Sequence, residues 1–565
     1  MTRLLVSAAG LAASVFALAA APALALPPIM DRVPTDASVT VVVPNMEALA
    51  KSISNLATLV GAPMDIKPDM LLQQAGVPMG LVKDGAVAAI IPEMPEKDGD
   101  EPKAIVLVPT TDYKAFIKNL GGEAGDGIAK LTLDGKDMFS KSLEGNYAAL
   151  SNDKATLEKF TGKTGNAAAH KTFFGSTGDK LSDKSEASVF VNFAKLRPKI
   201  KEGMKKQAEE MAQMTPDGEG PLGEGGKWLA DQFANDTSAV VLGVKFESLG
   251  VSLDAAPKFT EGSKLESISK LAGKSTALLN KLPAKPYLAA FAIDTSNPAF
   301  KAFLKDIPKP KAGKQAAESK QFMDEIESST GRSVIIAGSK GGVATGLLGQ
   351  MLVYTQAADP TKAMNVFKTG ATDPTIGGGE WKPGVTTVDS VSVNEWSKKV
   401  GTEGAEEGMG PDELYGNAEG PIGYAALTEG GFITTYSKSS ELISAALKAV
   451  KGEGSLAGDK VLQQVAEKLP NNRMAEVYIG LDTILNSVPQ AQMVVGMMGI
   501  TVPASMPPIA LSISPDAGSA QASIFLPTPV LKMIGDVAKN MQGQGAPDGG
   551  GRPPKNEKDD KGDKF

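Results

Sequence analysis

The stretch Val39-Thr40-Val41-Val42-Val43-Pro44 is the starting point for reading the fold. Its β-branched residues predict a short strand that ends at the proline. Apolar residues then follow at helical spacing over residues 49–60, and Gly61 ends this predicted helix. A short strand that leads directly into a helix is therefore the unit to search for along the chain.

The same order of elements recurs further on. Strand-and-helix patterns begin again near residues 188, 285 and 474, and apolar hairpin patterns cover 240–254 and 509–525. Thr110, Thr111 or Asp112 can cap the helix that follows them, and Asn297 and Asp359 stand where two later helix N-caps are expected. We therefore predict two similar units, residues 36–282 and 283–540, and generic alternation of strands and helices is the alternative.

Short polar connections between strands predict mainly antiparallel pairing, and the helices follow pairs of strands rather than every strand. The predicted fold class is α+β, with two similar units. Each unit is expected to be a curved, mainly antiparallel sheet with helices packed on one face.

The composition excludes several classes of chemistry. The 565 residues include no Cys and one His, and 58 basic against 65 acidic residues give a formal charge of −7. Without Cys, disulfides, thiolate nucleophiles and iron–sulfur clusters are excluded. The acidic balance argues against a nucleic-acid surface, which requires clustered Lys and Arg.

The first 25 residues predict a cleaved signal peptide. Arg3 precedes an apolar run, and Ala23-Leu24-Ala25 fits the small-x-small cleavage pattern. An uncleaved membrane anchor is the alternative, but no later stretch is long and apolar enough to span a membrane. We predict a secreted or periplasmic bacterial protein without a transmembrane anchor, and a disordered charged tail over 541–565.

The segment Val33-Pro34-x-Asp36-Ala37, followed by the strand at 39–43 and an Ala/Leu-rich helix, resembles a large set of bacterial exported proteins. Those proteins are known only as domains of unknown function. The resemblance covers about the first third of each predicted unit. It implies an exported compartment and this strand–helix start, and it carries no known catalytic residues.

His170 is the only residue that could serve as the base of a serine triad, yet no Gly-x-Ser-x-Gly segment is near it. We expect a surface or capping histidine. A His-based metal site is also disfavoured, because most such sites use two or more histidines. The sequence therefore predicts no catalytic residue, no metal site and no cofactor.

The methionine-rich stretch after residue 490 is the most unusual feature. Met is flexible and polarisable, which suits an adaptable apolar surface. In the repeat, the counterpart of this stretch is the methionine-bearing helix after residue 193. One interpretation is a groove or lid for a lipid-like ligand or a partner, and the other is a buried loop that fills the seam between sheet and helix. The candidate residues are Met493, Met497, Met498, Ile500, Met506, Met204 and Met211.

Three functions remain open at this point. The first is a non-enzymatic envelope protein that binds an apolar ligand or an envelope protein through a sheet–helix groove. The second is a structural or interaction protein with no small ligand. The third is a hydrolase that uses carboxylates or a Ser/Lys pair, since 65 acidic residues leave that chemistry possible in principle.

Overall fold

The computed structural model describes residues 26–61, 70, 82, 84–96, 100–125, 127–133, 135–213, 223–309, 313–338, 346–400, 410–497, 502–503 and 505–544. Residues 26–282 are called the first half below, and residues 283–544 the second half. The predicted signal peptide and residues 545–565 of the predicted tail lie outside the described residues.

The described residues form nineteen strands in one sheet. The first half contains β1 (Val39–Val43), β2 (Val87–Ile91), β3 (Ile105–Pro109), β4 (Ile128–Leu133), β5 (Lys136–Leu143), β6 (Tyr147–Ser151), β7 (Ala187–Val191), β8 (Thr237–Glu247) and β9 (Gly250–Phe259). The second half contains β10 (Tyr287–Asp294), β11 (Gly331–Ala337), β12 (Met351–Gln356), β13 (Trp381–Val388), β14 (Val391–Ser397), β15 (Ile422–Thr428), β16 (Gly431–Thr435), β17 (Ala475–Ile479), β18 (Ile509–Asp516) and β19 (Ser519–Pro527).

The seventeen α-helices of the described residues connect these strands. They are α1 (Met46–Leu59), α2 (Tyr113–Asn119), α3 (Lys154–Lys159), α4 (Ala167–Asp183), α5 (Phe193–Gln213), α6 (Gly223–Asp236), α7 (Lys264–Ser269), α8 (Ser275–Leu279), α9 (Pro298–Asp306), α10 (Gly313–Ser328), α11 (Pro360–Thr372), α12 (Pro411–Tyr415), α13 (Ser440–Val450), α14 (Lys460–Ala466), α15 (Leu481–Ser487), α16 (Pro489–Met497) and α17 (Thr528–Gln544). Short 3₁₀ turns cover Pro28–Arg32 and Leu456–Gly458.

The expectation of two separate sheets is wrong. The first half runs in the order β4-β5-β6-β3-β2-β1-β7-β8-β9. The second half continues it as β19-β18-β17-β10-β11-β12-β16-β15-β14-β13. The two halves join because β9 pairs with β19 in antiparallel orientation. This pairing satisfies the backbone groups that two bare edges would otherwise expose.

Helices on a single face are also a wrong expectation. We call the side of the sheet that carries Val43 the front face and the side that carries Val42 the back face. In the first half, α1 and α2 cover Val43 in front, whereas α4 covers Val42 behind. In the second half, α11 packs in front and α13 behind. Runs of adjacent apolar residues such as β1 need cover on both sides.

The helix starts follow local signals in the sequence. The side chain of Asn45 accepts a hydrogen bond from the Ala48 amide and so begins α1. Asn297 and Asp359 cap α9 and α11 in the same way, which confirms those two predicted N-caps. Of the three residues offered for α2, Asp112 is the cap. A capping oxygen satisfies an amide that the first helical turn leaves free.

The order of strand pairing in the first half recurs in the second half. Read outward from the β9–β19 pair, β8-β7-β1-β2-β3-β6-β5-β4 corresponds to β18-β17-β10-β11-β12-β16-β15-β14. β13 is an additional strand at the outer edge of the second half. In the part of the chain that the structure describes, no helix has the length and apolar character needed to cross a membrane.

Candidate functional site: an apolar cleft at the seam

The seam between the halves lies where β9 pairs with β19. Leu253 stands opposite Ile524, Ala255 stands opposite Ala522, and Asp254 stands opposite Ser523 between them. β9 in the first half corresponds to β19 in the second half, because each is the strand from which the recurring order is read outward. The Asp254–Ser523 pair therefore lies approximately midway between the two copies of that order. Successive side chains on a strand alternate between faces, so this pair points to the opposite face from its neighbours.

The front face of the seam is an open cleft of about 480 Å³. Its front-facing side chains are all aliphatic and come from five adjacent strands, β8, β9, β19, β18 and β17. Ile513 is 45% exposed and Ile524 is 39% exposed. The other lining residues of this kind are Leu242, Leu253, Ala255, Ala475, Val477, Leu511 and Ala522.

The back face of the seam is polar and buried. The carboxylate of Asp254 forms an ion pair with Lys245 at 2.6 Å and accepts a hydrogen bond from Gln521 at 3.1 Å. It also accepts a short hydrogen bond from the Ser523 hydroxyl. Helix α4 covers β8, β9 and β19 on this side, and α7 contacts β18 and β19.

A second buried polar group lies behind β17. Glu476 accepts hydrogen bonds from Arg473 at 2.9 Å, from the Tyr478 hydroxyl at 2.8 Å and from Ser275 at 3.0 Å. Burial, together with the charge of Glu476, raises the pKa of the Tyr478 hydroxyl well above its usual value. Tyr478 therefore stays neutral, and its hydroxyl is a hydrogen-bond donor to a carboxylate that is itself fully paired.

The seam thus reverses the usual arrangement of an antiparallel sheet. Such a sheet commonly buries its apolar face and exposes its polar face. Here Asp254, Glu476 and Ser512 are buried, whereas Ile513 and Ile524 remain exposed. A contiguous exposed apolar patch on a folded protein marks an interaction or ligand site.

None of the candidate methionines whose side chains the structure describes lines this cleft. On α16, Met493 is 60% exposed and Met497 is 71% exposed. Met506 is buried, and its amide donates a hydrogen bond to Asp482 at 3.1 Å. Met204 and Met211 lie on α5, and Met204 is half-buried. Met498 and Ile500 lie outside the described residues, so the methionine groove or lid stays a prediction.

The sequence reasoning missed the residues of the cleft. It identified the strands of both hairpins, but it gave their aliphatic residues no role in a site. A signal was present in the alternation Leu511-Ser512-Ile513-Ser514, which separates an aliphatic side from a hydroxyl side. What the pattern cannot say is which of the two sides the helices cover.

The expectation of a surface or capping histidine is wrong. His170 is buried on α4, where its Nε2–H donates to the Val33 carbonyl oxygen at 2.9 Å. Burial lowers the pKa of its imidazole, and the Val33 carbonyl and Asp31 counteract this only in part. Within the described ranges, no three His, Asp or Glu side chains are grouped so as to hold a metal ion.

Comparisons of the chain with models of protein families, with curated proteins and with solved structures gave no match. The functional argument therefore depends on the geometry of the seam and on the sequence.

Proposed function

We propose that the protein is an exported, non-enzymatic binding protein that holds an aliphatic ligand, such as an acyl chain, in the seam cleft. The observation that carries the proposal is the reversed polarity of the seam, with its aliphatic side open and its polar side buried. The predicted signal peptide supports an envelope location, where lipid-like molecules are abundant.

The chemistry of the lining favours an aliphatic chain over a polar metabolite. A metabolite site places a few polar groups to orient the ligand, within a volume of about 300–1,000 Å³. The cleft has a volume in this range, but its polar neighbours Asp254, Glu476 and Ser523 turn their side chains to the back. A ligand in front meets only aliphatic side chains, so burial of its own apolar surface must provide the affinity.

The same lining disfavours a protein partner. The cores of protein interfaces are enriched in Tyr, Trp, Phe, Met and Arg. The residues that line the cleft include none of these five types. An aliphatic cleft without such anchors suits a flexible chain that lies along it.

Binding of a fluorescent fatty acid, cis-parinaric acid, to the mature chain tests the proposal. Ile513→Asp places a charge in the cleft and should weaken binding by about tenfold or more, because the ligand would have to desolvate a carboxylate. Val461→Asp is the matched control, since Val461 is an exposed aliphatic residue on α14. It should change the affinity by less than about twofold.

Native mass spectrometry of the same protein, purified from a bacterial periplasm, should show a reproducible lipid-sized mass increment that Ile513→Asp removes. The proposal is abandoned if the wild-type chain carries no such mass and binds no fatty acid saturably. A dimer that Ile513→Asp dissociates would instead assign the seam to contact between two copies of the chain.

A further inference from the structure

A second cavity lies on the front face of the second half, away from the seam. It encloses about 210 Å³ between the sheet and the helices α10 and α11. The sheet contributes both polar and aromatic side chains to it, namely Arg332, Thr355, Trp396, Phe432, Thr434 and Tyr436. Helix α10 adds Gln321 and Glu325, and α11 adds Phe367.

The equivalent positions in the first half carry buried apolar side chains. β10 and β11 of the second half correspond to β1 and β2 of the first half. Arg332 on β11 pairs with Ile293 on β10. Val87 on β2 pairs in the same way with Val43 on β1, so Arg332 occupies the position equivalent to Val87. By the same register, Thr434 takes the place of Leu150. Val87 and Leu150 are both buried in the apolar core of the first half. The second half therefore places polar side chains around a cavity at positions where the first half has buried apolar ones.

Two hydrogen-bond donors at this cavity have no partner. Arg332 donates from Nη2 to Glu325, but its Nε is buried without a hydrogen-bond partner. The indole Nε1 of Trp396 is also buried and unpartnered. Buried N–H groups are nearly always paired, so two orphaned donors beside one cavity point to an absent acceptor.

The remaining lining has the same donor character. Lys398 borders the cavity and lies 3.9 Å from Glu318, a distance that leaves its ammonium only loosely paired. Burial raises the pKa of Tyr436 to about 12, so its hydroxyl is neutral and can donate. The single carboxylate in the lining, Glu325, is already bound by Arg332 and Gln321.

We propose that this cavity binds a small organic carboxylate that has an apolar or aromatic body. A carboxylate offers only acceptors, which match the free N–H groups of Arg332 and Trp396. Phe367, Phe432 and Val353 provide the apolar wall. A cavity of about 150 Å³ is large enough for benzene, so 210 Å³ accommodates a one-ring acid. This site is independent of the seam cleft and of its proposed ligand.

Isothermal titration of the full mature chain with acetate, benzoate and phenylacetate tests the site, and benzamide serves as the uncharged analogue of benzoate. At least one of the acids should bind saturably with a Kd of about 1 mM or lower. If benzoate binds, benzamide should bind about tenfold more weakly, because it lacks the charge.

Trp396→Phe removes one orphaned donor and keeps an aromatic ring, and it should weaken carboxylate binding by about tenfold. Trp381→Phe is the matched control, because Trp381 packs on Phe367 without lining the cavity. Arg332→Lys keeps a positive charge beside Glu325 and removes the Nε–H, so it should also weaken binding. Circular dichroism establishes that each variant is folded.

The proposal is overturned if the folded wild-type chain binds none of the three acids saturably up to about 10 mM. It is equally overturned if benzamide binds as tightly as benzoate, or if folded Trp396→Phe and Arg332→Lys both bind like the wild type.

Discussion

At the scale of single residues, His170 is a buried neutral base with a structural role. Its ring stacks on Phe174 with 6.0 Å between the ring centroids, and Nδ1 is buried without a hydrogen-bond partner. Protonation would place a charge on this buried ring. Since burial lowers the pKa in the folded state below the usual value near 6.5, the unfolded chain binds the proton more readily.

His170 should therefore make the free energy of unfolding depend on pH. Its contribution is fully present above about pH 6.5 and is lost as the pH falls through the lower pKa of the folded state. Urea unfolding between about pH 8 and pH 5 should show a steeper loss of stability for the wild type than for His170→Gln. Parallel curves for the two proteins would show that the imidazole does not titrate with unfolding.

Asp254 is the residue on which the buried back of the seam depends. Asp254→Ala removes the partner of Lys245 and of Ser523, and it should lower the free energy of unfolding by about 2–4 kcal/mol. The control is Asp137→Ala, because the ion pair of Asp137 with Lys130 is exposed and should contribute less than about 1 kcal/mol. Equal losses for the two variants, measured by urea unfolding, would contradict the role assigned to Asp254.

At the scale of elements, sequence signals that act over a few residues predicted the individual strands and helices. They did not predict how the strands pair in the sheet. The β-branched run of β1 and the caps Asp112 and Asn297 act within a few residues, so the sequence displays them directly. The pairing of β9 with β19 joins residues as far apart as Asp254 and Ser523, which are 269 positions apart. Nothing in either strand marks its partner, and so the single sheet was not predicted.

The candidate site escaped prediction for a related reason. The methionine stretch was predicted as a candidate site because its composition is unusual. The front-facing residues of the cleft are Ile, Leu, Val and Ala, which are ordinary strand residues. Ile513 and Ile524 form a surface only when the seam places β18 and β19 beside β9. Which face of those strands remains bare is decided by helix packing, and periodicity does not encode that choice.

The register of the seam gives a direct prediction, because the natural chain has no Cys. Ala255 and Ala522 are opposite one another, and directly opposed residues in antiparallel strands have Cα atoms about 4.5–5.5 Å apart. This spacing falls within the range for disulfides. The double variant Ala255→Cys/Ala522→Cys should therefore form an intramolecular disulfide on mild oxidation, seen as a mobility shift in non-reducing electrophoresis.

The matched control for the crosslink is Ala255→Cys/Ala520→Cys. Ala520 points to the same face as Ala522 but lies two residues away along β19, so it is a diagonal neighbour of residue 255 at about 7–8 Å. It should oxidise much more slowly. Equal crosslinking of both pairs, or crosslinking of the control alone, would refute the register of β9 and β19.

At the scale of the whole molecule, one strand order occurs twice, and the two copies carry different side chains at equivalent positions such as Val87 and Arg332. The predicted boundary near residue 283 and the descent of both halves from one duplicated unit stay predictions. The second half carries the unpartnered N–H donors of Arg332 and Trp396. It also contributes most of the residues that line the seam cleft, including Ile513. Its equivalent in the first half, Val244, is buried under the front helices.

Photoaffinity labelling is the most direct test of whether the seam cleft binds an aliphatic chain. The mature chain is irradiated with a fatty acid that carries a diazirine at mid-chain, and the adducts are located by peptide mass spectrometry. We expect adducts on β9, β18 and β19, around Leu253, Ile513 and Ile524, and their loss when unmodified fatty acid is added in excess. Saturable adducts confined to the methionines of α16, or labelling that excess fatty acid does not reduce, would contradict binding in the seam cleft.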